Sequence, residues 1–264
     1  MIYIVGGRGF AGSAYGRLFD VLGLAYKVVT RDSIQTLRGT SCDVLINANG
    51  NSKKLLAASK PLRDFDLSVR SVAETVEAFS IGTYVLLSSG DVYPDQSRPG
   101  ATREQQVIDP AQQSRYGLHK HLAEKIVRGT QARWLIMRMS GMVGAGLKKN
   151  AIFDMMTSAP VWLSPESQLQ FISTDKAAEI VWGLIKAGVT GEIVNLGARG
   201  VVNLGALHRR IGSKSRFVAE APTVRYELSL EKLGSISPKP LPEANAEVDA
   251  FLTAKGVKFD TAAK

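Results

Sequence analysis

Short β-branched runs alternate with amphipathic stretches of helical length along most of this chain, and no other feature of the sequence constrains its fold as tightly. Periodicity predicts strands at 2–5, 26–30, 43–47, 83–88, 133–138 and 192–196, with helices at 11–22, 66–80, 111–129 and 174–187. Leu67, Val69, Val72, Val76 and Phe79 form the apolar stripe of a helix lying on a sheet. Such alternation builds a parallel sheet with helices on both faces. One interval is too short for the full pattern. Only 12 residues separate Thr30 from Asp43, whereas a strand–helix–strand unit takes about 30. The expected architecture is therefore α/β, a doubly wound parallel sheet truncated between its second and third strands. Past Gly197 the pattern gives way to short helices and turns marked by Pro222, Pro238, Pro240 and Pro242, a small C-terminal part.

The 264 residues are 45% apolar and 22% charged, enough apolar material for a real core and too much for a disordered chain. No run of about 18 uncharged apolar residues occurs, so no membrane helix is expected. Met1 leads directly into Ile2-Tyr3-Ile4-Val5 with no basic segment ahead. Cys42, the single cysteine, offers neither a disulfide nor a thiolate cluster, and the expected compartment is the cytoplasm. Lys and Arg number 33 against 24 Asp and Glu. The excess is scattered, with Lys53-Lys54, Lys148-Lys149 and Arg209-Arg210 the adjacent pairs and no aromatic residues interleaved. That distribution fits a solvated surface or a polyphosphate ligand and gives nucleic acid no stacking platform.

Gly6-Gly7-Arg8-Gly9-Phe10-Ala11-Gly12 joins the first strand to the first helix. Gly6, Gly9 and Gly12 recur every third residue, so the chain can turn at positive φ and bring backbone N–H groups close to a pyrophosphate at the helix start. An ordinary tight turn uses glycines too. In dinucleotide folds the end of the second strand reads the adenosine ribose, and an acidic residue there binds the hydroxyls of NAD. Here Thr30 and Arg31 take that place. A guanidinium suits a 2′-phosphate, and Arg8 is in reach from the glycine loop. NADP is the expected cofactor and NAD the alternative, with Asp32 the residue that would favour NAD. Residues 1–197 are expected to form the dinucleotide-binding domain, with a substrate-contacting insertion near 141–172, and 198–264 a small substrate-binding part.

Ser114-Arg115-Tyr116-Gly117-Leu118-His119-Lys120 contains a YxxxK pair. Positions i and i+4 share a helix face, so the Tyr116 hydroxyl and Lys120 ammonium can enter one pocket, where the cation favours phenolate. The strand before it ends in Ser88-Ser89-Gly90-Asp91-Val92-Tyr93. Strand C-termini line the ligand crevice of an open parallel sheet, which places Ser89 to hydrogen-bond a substrate oxygen. His119 and His121 lie two apart and face different sides of a helix, so no metal pair is expected from them. Trp162 reads either as a ring that stacks on a sugar or base or as a core residue, and the core is the expectation.

In their order these segments resemble the extended short-chain dehydrogenase/reductase family, the NAD(P)-dependent epimerases, dehydratases and reductases of nucleotide sugars. The loop from Gly6 to Gly12 is similar to the family's GGxGFxG, and Ser88 to Tyr93 to its SSxxVY. Tyr116 to Lys120, with Glu124 four residues on, is similar to its YGxxK helix. Met137-Arg138-Met139-Ser140-Gly141-Met142-Val143-Gly144-Ala145-Gly146 is similar to LRxxNVYGPG. Phe171-Ile172-Ser173-Thr174-Asp175 is similar to FIHVDD, and Val194-Asn195-Leu196-Gly197 to YNxG. The likeness runs from Met1 to Gly197.

The resemblance implies that Tyr116 is the general acid/base, that Lys120 holds the nicotinamide ribose and lowers the tyrosine's pKa, and that Ser89 binds the reacting oxygen. It extends the cofactor site to Asn47, Ala48 and Asn49. Asp91 reads either as a second acid/base group or as a residue capping the strand end. Lys149 and Asn150, after the Gly144–Gly146 turn, either bind a nucleotide diphosphate or are solvated. The chain departs from the pattern at Ser68, where many members have Asn, and at Gly90, where sugar dehydratases carry an acid. The implied activity is reduction of a keto group on a nucleotide-linked sugar by NADPH. The alternatives are an epimerase that retains its cofactor and a non-catalytic NADP-sensing protein. The helices at 66–80 and 111–129 are expected to pair with a second copy as a homodimer.

Overall fold

Side-chain alternation along six apolar strands sets the layers. In the computed structural model, which describes residues 1–259, β1 (Ile2–Val5), α1 (Gly12–Leu22), β2 (Tyr26–Val29), α2 (Ser33–Leu37), β3 (Ser41–Asn47) and α3 (Lys54–Ser59) come first. Next are α4 (Pro61–Phe65), a π turn (Asp66–Arg70), α5 (Ser71–Ala78), β4 (Ser80–Ser89), α6 (Arg115–Arg128) and β5 (Arg133–Met139). β6 (Gly141–Val143), α7 (Ala151–Met156), β7 (Gln168–Leu169), β8 (Phe171–Ser173), α8 (Thr174–Lys186) and β9 (Glu192–Leu196) follow. β10 (Val202–Asn203), α9 (Leu204–Arg210), β11 (Arg225–Tyr226), α10 (Glu231–Ile236) and α11 (Ala244–Ala254) complete the order.

The main sheet runs β2-β1-β3-β4-β5-β9, every pair parallel. Ile2, Ile4, Val44, Ile46, Val85 and Leu87 enter one core layer, with Ala14 and Phe19 of α1 and Ala177 and Val181 of α8. Tyr3, Val5, Leu45, Tyr84 and Leu86 enter the other, with Val72 of α5 and Ala123 and Val127 of α6. Burial on both faces explains why these strands read as nearly continuous apolar runs. β2 is the sheet edge, and the five-residue α2 alone fills the interval to β3. The doubly wound sheet is therefore truncated where the 12-residue spacing predicts. Chain direction across the sheet reverses between β1 and β3, which opens a crevice at their C-terminal ends.

Three local expectations change. The helix predicted at 66–80 starts at Pro61, loosens into the π turn, and stops at Ala78. Phe79 is extended there, because Ser80 N–H already donates to Thr40 carbonyl at 3.0 Å as β4 begins. The helix predicted at 111–129 starts at Arg115, capped by Ser114, whose hydroxyl accepts Gly117 N–H at 3.1 Å. Trp162 is 69% exposed rather than in the core. Its neighbour Val161 is buried and bridges to Phe217, so the next side chain along the extended segment turns outward.

Val202, Leu204, Leu207, Leu233, Val248 and Leu252 belong to the same core cluster as Ile2 and Ile4. Among the described residues the C-terminal part thus shares the main core, while its Leu228 packs with Val92 and Tyr93 in a smaller cluster. Its β10 and β11 flank β7 in a small second sheet, β10-β7-β11. No helix among the described residues is long and apolar enough to cross a membrane.

Candidate active site

The glycine turn after β1 is built by close approach. Gly6 has φ +73°, and Gly9 N–H donates to Gly6 carbonyl at 2.9 Å. A methyl at Gly12 would be driven into that carbonyl oxygen. Glycine alone therefore allows the loop to fold back under α1, leaving a cradle of backbone beside a cleft of about 850 Å³, within the size range of cofactor sites. Gly6, Gly7, Arg8, Gly9, Phe10, Ala11, Thr30, Arg31, Ala48 and Asn49 line that cleft. Gly12 starts α1 just below it. The backbone cradle fits a dinucleotide pyrophosphate, with Thr30 and Arg31 at the end where the adenosine ribose would lie.

Thr30 is tied to Ser33, whose hydroxyl accepts Thr30 N–H at 2.9 Å, and this starts α2 directly after β2. Arg8 and Arg31 line the cleft and Asp32 does not. Asp66, Arg70 and Glu74 line the same region from the π turn and α5, with Asp66 paired to Arg70 at 3.0 Å. Asn47 departs from expectation. Its side chain is fully buried, donates to Tyr84 hydroxyl at 2.7 Å and accepts Asn49 N–H at 2.9 Å. It braces the loop that carries Ala48 and Asn49 and does not line the cleft.

The reacting end lies beyond Gly50. A side chain at Gly50, whose φ is +127°, would come within 3.0 Å of Lys120 Nζ. Tyr116 sits in the first turn of α6, which packs so closely on the turn after β4 that a side chain at Gly117 would strike the Asp91 carbonyl. That contact is why the motif needs glycine beside the tyrosine. Ser89 Oγ donates to Asp91 Oδ2 at 3.1 Å and accepts Asp91 N–H at 3.2 Å, while Asp91 Oδ1 is paired with Lys54 Nζ at 2.6 Å. Ser89 therefore caps the turn after β4, and the Asp91 carboxylate stands beside its hydroxyl.

Burial lowers the Lys120 ammonium to about 8, against the opposing pull of Asp64, Asp91 and Glu124. The Tyr116 hydroxyl moves opposite to the sequence expectation. Burial pushes its pKa up, Asp91 adds to the rise, and the Ser89 hydroxyl offsets only part of it. Lys120 Nζ stands over the tyrosine ring, 5.8 Å from its centre, and does not outweigh burial. Tyr116 is thus held as a protonated acid.

Several neighbours carry no sequence signal. Tyr226, at the end of β11, lays its hydroxyl over Gly90, so a methyl there would be driven into it. Burial, then Asp91 and Tyr116, push the Tyr226 pKa well up. Asp64 is completely buried and accepts from Asn51 Nδ2 at 2.8 Å and Ser68 Oγ at 3.2 Å, with His119 Nδ1 2.6 Å away. Lys149 donates to the Ser52 carbonyl, and burial together with Lys53 and Lys54 lowers its pKa. Asn150 is otherwise committed: its Oδ1 accepts Phe153 N–H at 2.9 Å to cap α7, and its amide donates to Met142 carbonyl at 3.1 Å. Glu124 accepts from both Arg138 Nη2 at 2.8 Å and Ser88 Oγ at 2.5 Å, bracing α6 against β4 and β5. A hydrophobic spacing pattern cannot reveal Tyr226 or Asp64, because each reaches the site from a segment with no motif of its own.

Comparison with solved structures gives the fold the same company. UDP-galactose 4-epimerase superposes with a TM-score of 0.80 at 20% identity, over 97% of this chain and 99% of that one. RMD from Pseudomonas aeruginosa complexed with NADPH superposes with a TM-score of 0.79 at 19% identity, over 96% and 99%. UDP-glucuronic acid 4-epimerase from Bacillus cereus gives 0.78 at 14% identity, over 96% and 98%. No curated protein matches the sequence. The profile of one family matches residues 2–197, a span that takes in the glycine loop, Ser89, Tyr116, Lys120 and all six strands of the main sheet. The chain belongs to the NAD dependent epimerase/dehydratase family, a family of enzymes that work with a nicotinamide dinucleotide.

Proposed function

We propose that this protein is an NADP-dependent reductase of a keto group on a nucleotide-linked sugar. The observation that carries the reading is the buried Tyr116 hydroxyl beside Ser89, on the same helix as Lys120, whose ammonium faces Gly50 at the edge of the cofactor cleft. A nicotinamide cofactor held in the cleft would supply the hydride for a carbonyl carbon. Ser89 steadies the carbonyl oxygen, Tyr116 delivers a proton to it, and Lys120 stabilises the tyrosinate left behind. Gly90 bears no acid, and Tyr226 occupies the space a side chain there would need, which argues against water elimination.

Arg8 and Arg31 at the adenosine end, with Asp32 outside the cleft lining, favour the 2′-phosphate of NADP. RMD is complexed with NADPH, and the two epimerases named above act on UDP-sugars. Lys53, Lys54 and Lys149 form a basic rim suited to a substrate diphosphate. Residues 198–264 act as the substrate-binding part, which Tyr226 joins to the site. The two helices α5 and α6 lie side by side on one face, and we infer that they pair with a second copy; sedimentation of a monomer at micromolar concentration would overturn that.

An epimerase that keeps its cofactor is the second reading, favoured by the Asp91 carboxylate next to Ser89. Oxidation of NADPH followed against a panel of nucleotide-linked keto sugars separates the two. Stoichiometric oxidation supports the reductase. Interconversion of sugar epimers without net oxidation would replace it with the epimerase.

A further inference from the structure

Three carboxylates act on the buried Lys120 ammonium without direct ion-pair contact: Asp64 from α4, Asp91 from the turn after β4, and Glu124 one helical turn along α6. Two of them already have a cation. Asp91 is paired with Lys54 at 2.6 Å, and Glu124 is held by Arg138 at 2.8 Å. Asp64 has neither a lysine nor an arginine partner among the described residues. Its carboxylate is fully buried and its partners are the Asn51 amide, the Ser68 hydroxyl and the His119 ring. Ser68 Oγ also accepts Asn51 N–H at 3.3 Å, which locks the segment after Gly50 to the π turn. From the Gly50 backbone a side chain would meet Lys120 Nζ at 3.0 Å and Ser68 Oγ at 3.8 Å, so the ammonium and this cluster face the same small space.

We propose that Asp64 is the counter-ion that keeps Lys120 an ammonium at neutral pH, with His119, Asn51 and Ser68 clamping it in position. Asp64 is then a positioning residue that acts through Lys120. A buried ammonium tends to lose its proton, and a nearby carboxylate restores the charged form. Burial alone lowers Lys120, and Asp64 is the largest of the three opposing influences. Ser68 stands where many relatives of this kind have Asn, and here its hydroxyl serves the Asp64 clamp. The inference takes from the proposed function only that Lys120 works as an ammonium.

The test needs no substrate. The full-length protein, carrying 13C-labelled lysine, is titrated by NMR without cofactor and with NADP, and the Lys120 signal is assigned from its loss in Lys120→Arg. The wild-type midpoint is expected at about 8. Asp64→Asn should lower it by about one pH unit or more, at least tenfold in acid constant. Asp91→Asn should lower it by less. If Asp64→Asn does not fold, the double variant Asp64→Asn/His119→Asn, whose two amides can bond each other, removes the same charge and should give the same fall. A midpoint moved by less than about 0.3 unit, or moved more by Asp91→Asn than by loss of Asp64, overturns the proposal. Either result leaves the choice between reductase and epimerase untouched, and a failed substrate screen leaves the titration untouched.

Discussion

The two ends of the cleft are made of different materials. At the adenosine end, backbone and the absence of side chains do the shaping, and of the charged groups Arg8, Arg31, Asp66 and Arg70 are exposed and Glu74 is half-buried. At the reacting end the charged and titratable groups are buried: Lys120, Asp64, Glu124 and Tyr116 are each under 9% exposed. Water screens charges at the first end and is excluded from the second, so a charge removed there leaves its partner unmatched in a low-dielectric site. The lesson is one of leverage. Steric permission decides binding at one end, and electrostatic matching decides chemistry at the other.

The largest effect should come from the buried end. Tyr116→Phe removes the acid without touching the cradle, and steady-state assays should show turnover reduced by about 10² to 10⁴ with cofactor affinity nearly unchanged. Near-wild-type turnover would remove Tyr116 from the mechanism. The pH dependence follows from Lys120. Its ammonium is present below about 8 and lost above, so the rate should be level below that pH and fall beyond it. The stability contribution of the same group has the opposite sign. The folded-state value lies below the unfolded one of 10.5, so between the two the unfolded chain binds more protons. Lys120 therefore makes stability rise with pH over that window. Thermal melts of wild type and Lys120→Met against pH would expose the difference.

At the adenosine end, Gly12→Ala forces a methyl on the Gly6 carbonyl. Overpacking of this kind costs about 1–3 kcal/mol of stability, and a loop displaced to relieve it no longer presents its backbone to the pyrophosphate, so cofactor titration should show NAD and NADP affinity falling alike by about tenfold or more. Equal binding by wild type and Gly12→Ala would show that the cradle is not where the cofactor sits. Arg31→Ala should act more selectively. A charge-assisted hydrogen bond at the exposed end is worth about 1.5 kcal/mol, so NADP affinity should drop about tenfold with NAD unchanged, and the drop should shrink in high salt. Tighter NAD than NADP binding by the wild type would reverse the cofactor assignment.

This contrast also decides what the chain betrays before it folds. The adenosine end is local in sequence: Gly6 to Gly12 turn on themselves, and Thr30-Arg31 close a strand, so spacing alone locates them. The missing strand is legible for the same reason, as a gap too short to hold it. The reacting end is local only in its YxxxK half. Asp64 arrives on a helix whose start at Pro61 is masked by the stronger apolar stripe beyond the π turn. Tyr226 arrives on a two-residue strand whose place is fixed by pairing with Leu169 of β7, a contact no periodicity encodes. Asn47, which the resemblance alone assigns to the cofactor site, has its amide drawn into the core by Tyr84 and Thr75, partners distant in sequence. The direction of the Tyr116 shift needed burial, which spacing does not supply.

Lys54 tests where the boundary between the two regimes lies. It comes from α3, pairs with Asp91 at 2.6 Å and stands 5.8 Å from the Tyr226 ring centre, yet its own side chain is 64% exposed while that of Asp91 is 13% exposed. If the pair belongs to the screened regime, it is worth about 0.2–1 kcal/mol, and Lys54→Ala should raise KM by at most about fivefold with little change in kcat. High salt should then bring the wild type toward the variant, because the wild-type pair is the one with an interaction to screen. If Asp91 pulls Lys54 into the buried regime, the variant leaves an unmatched carboxylate beside Ser89. The loss would then exceed a hundredfold, fall on kcat, and be insensitive to salt. The exposure of the lysine favours the first outcome, and the salt dependence of the wild type is the measurement that decides it.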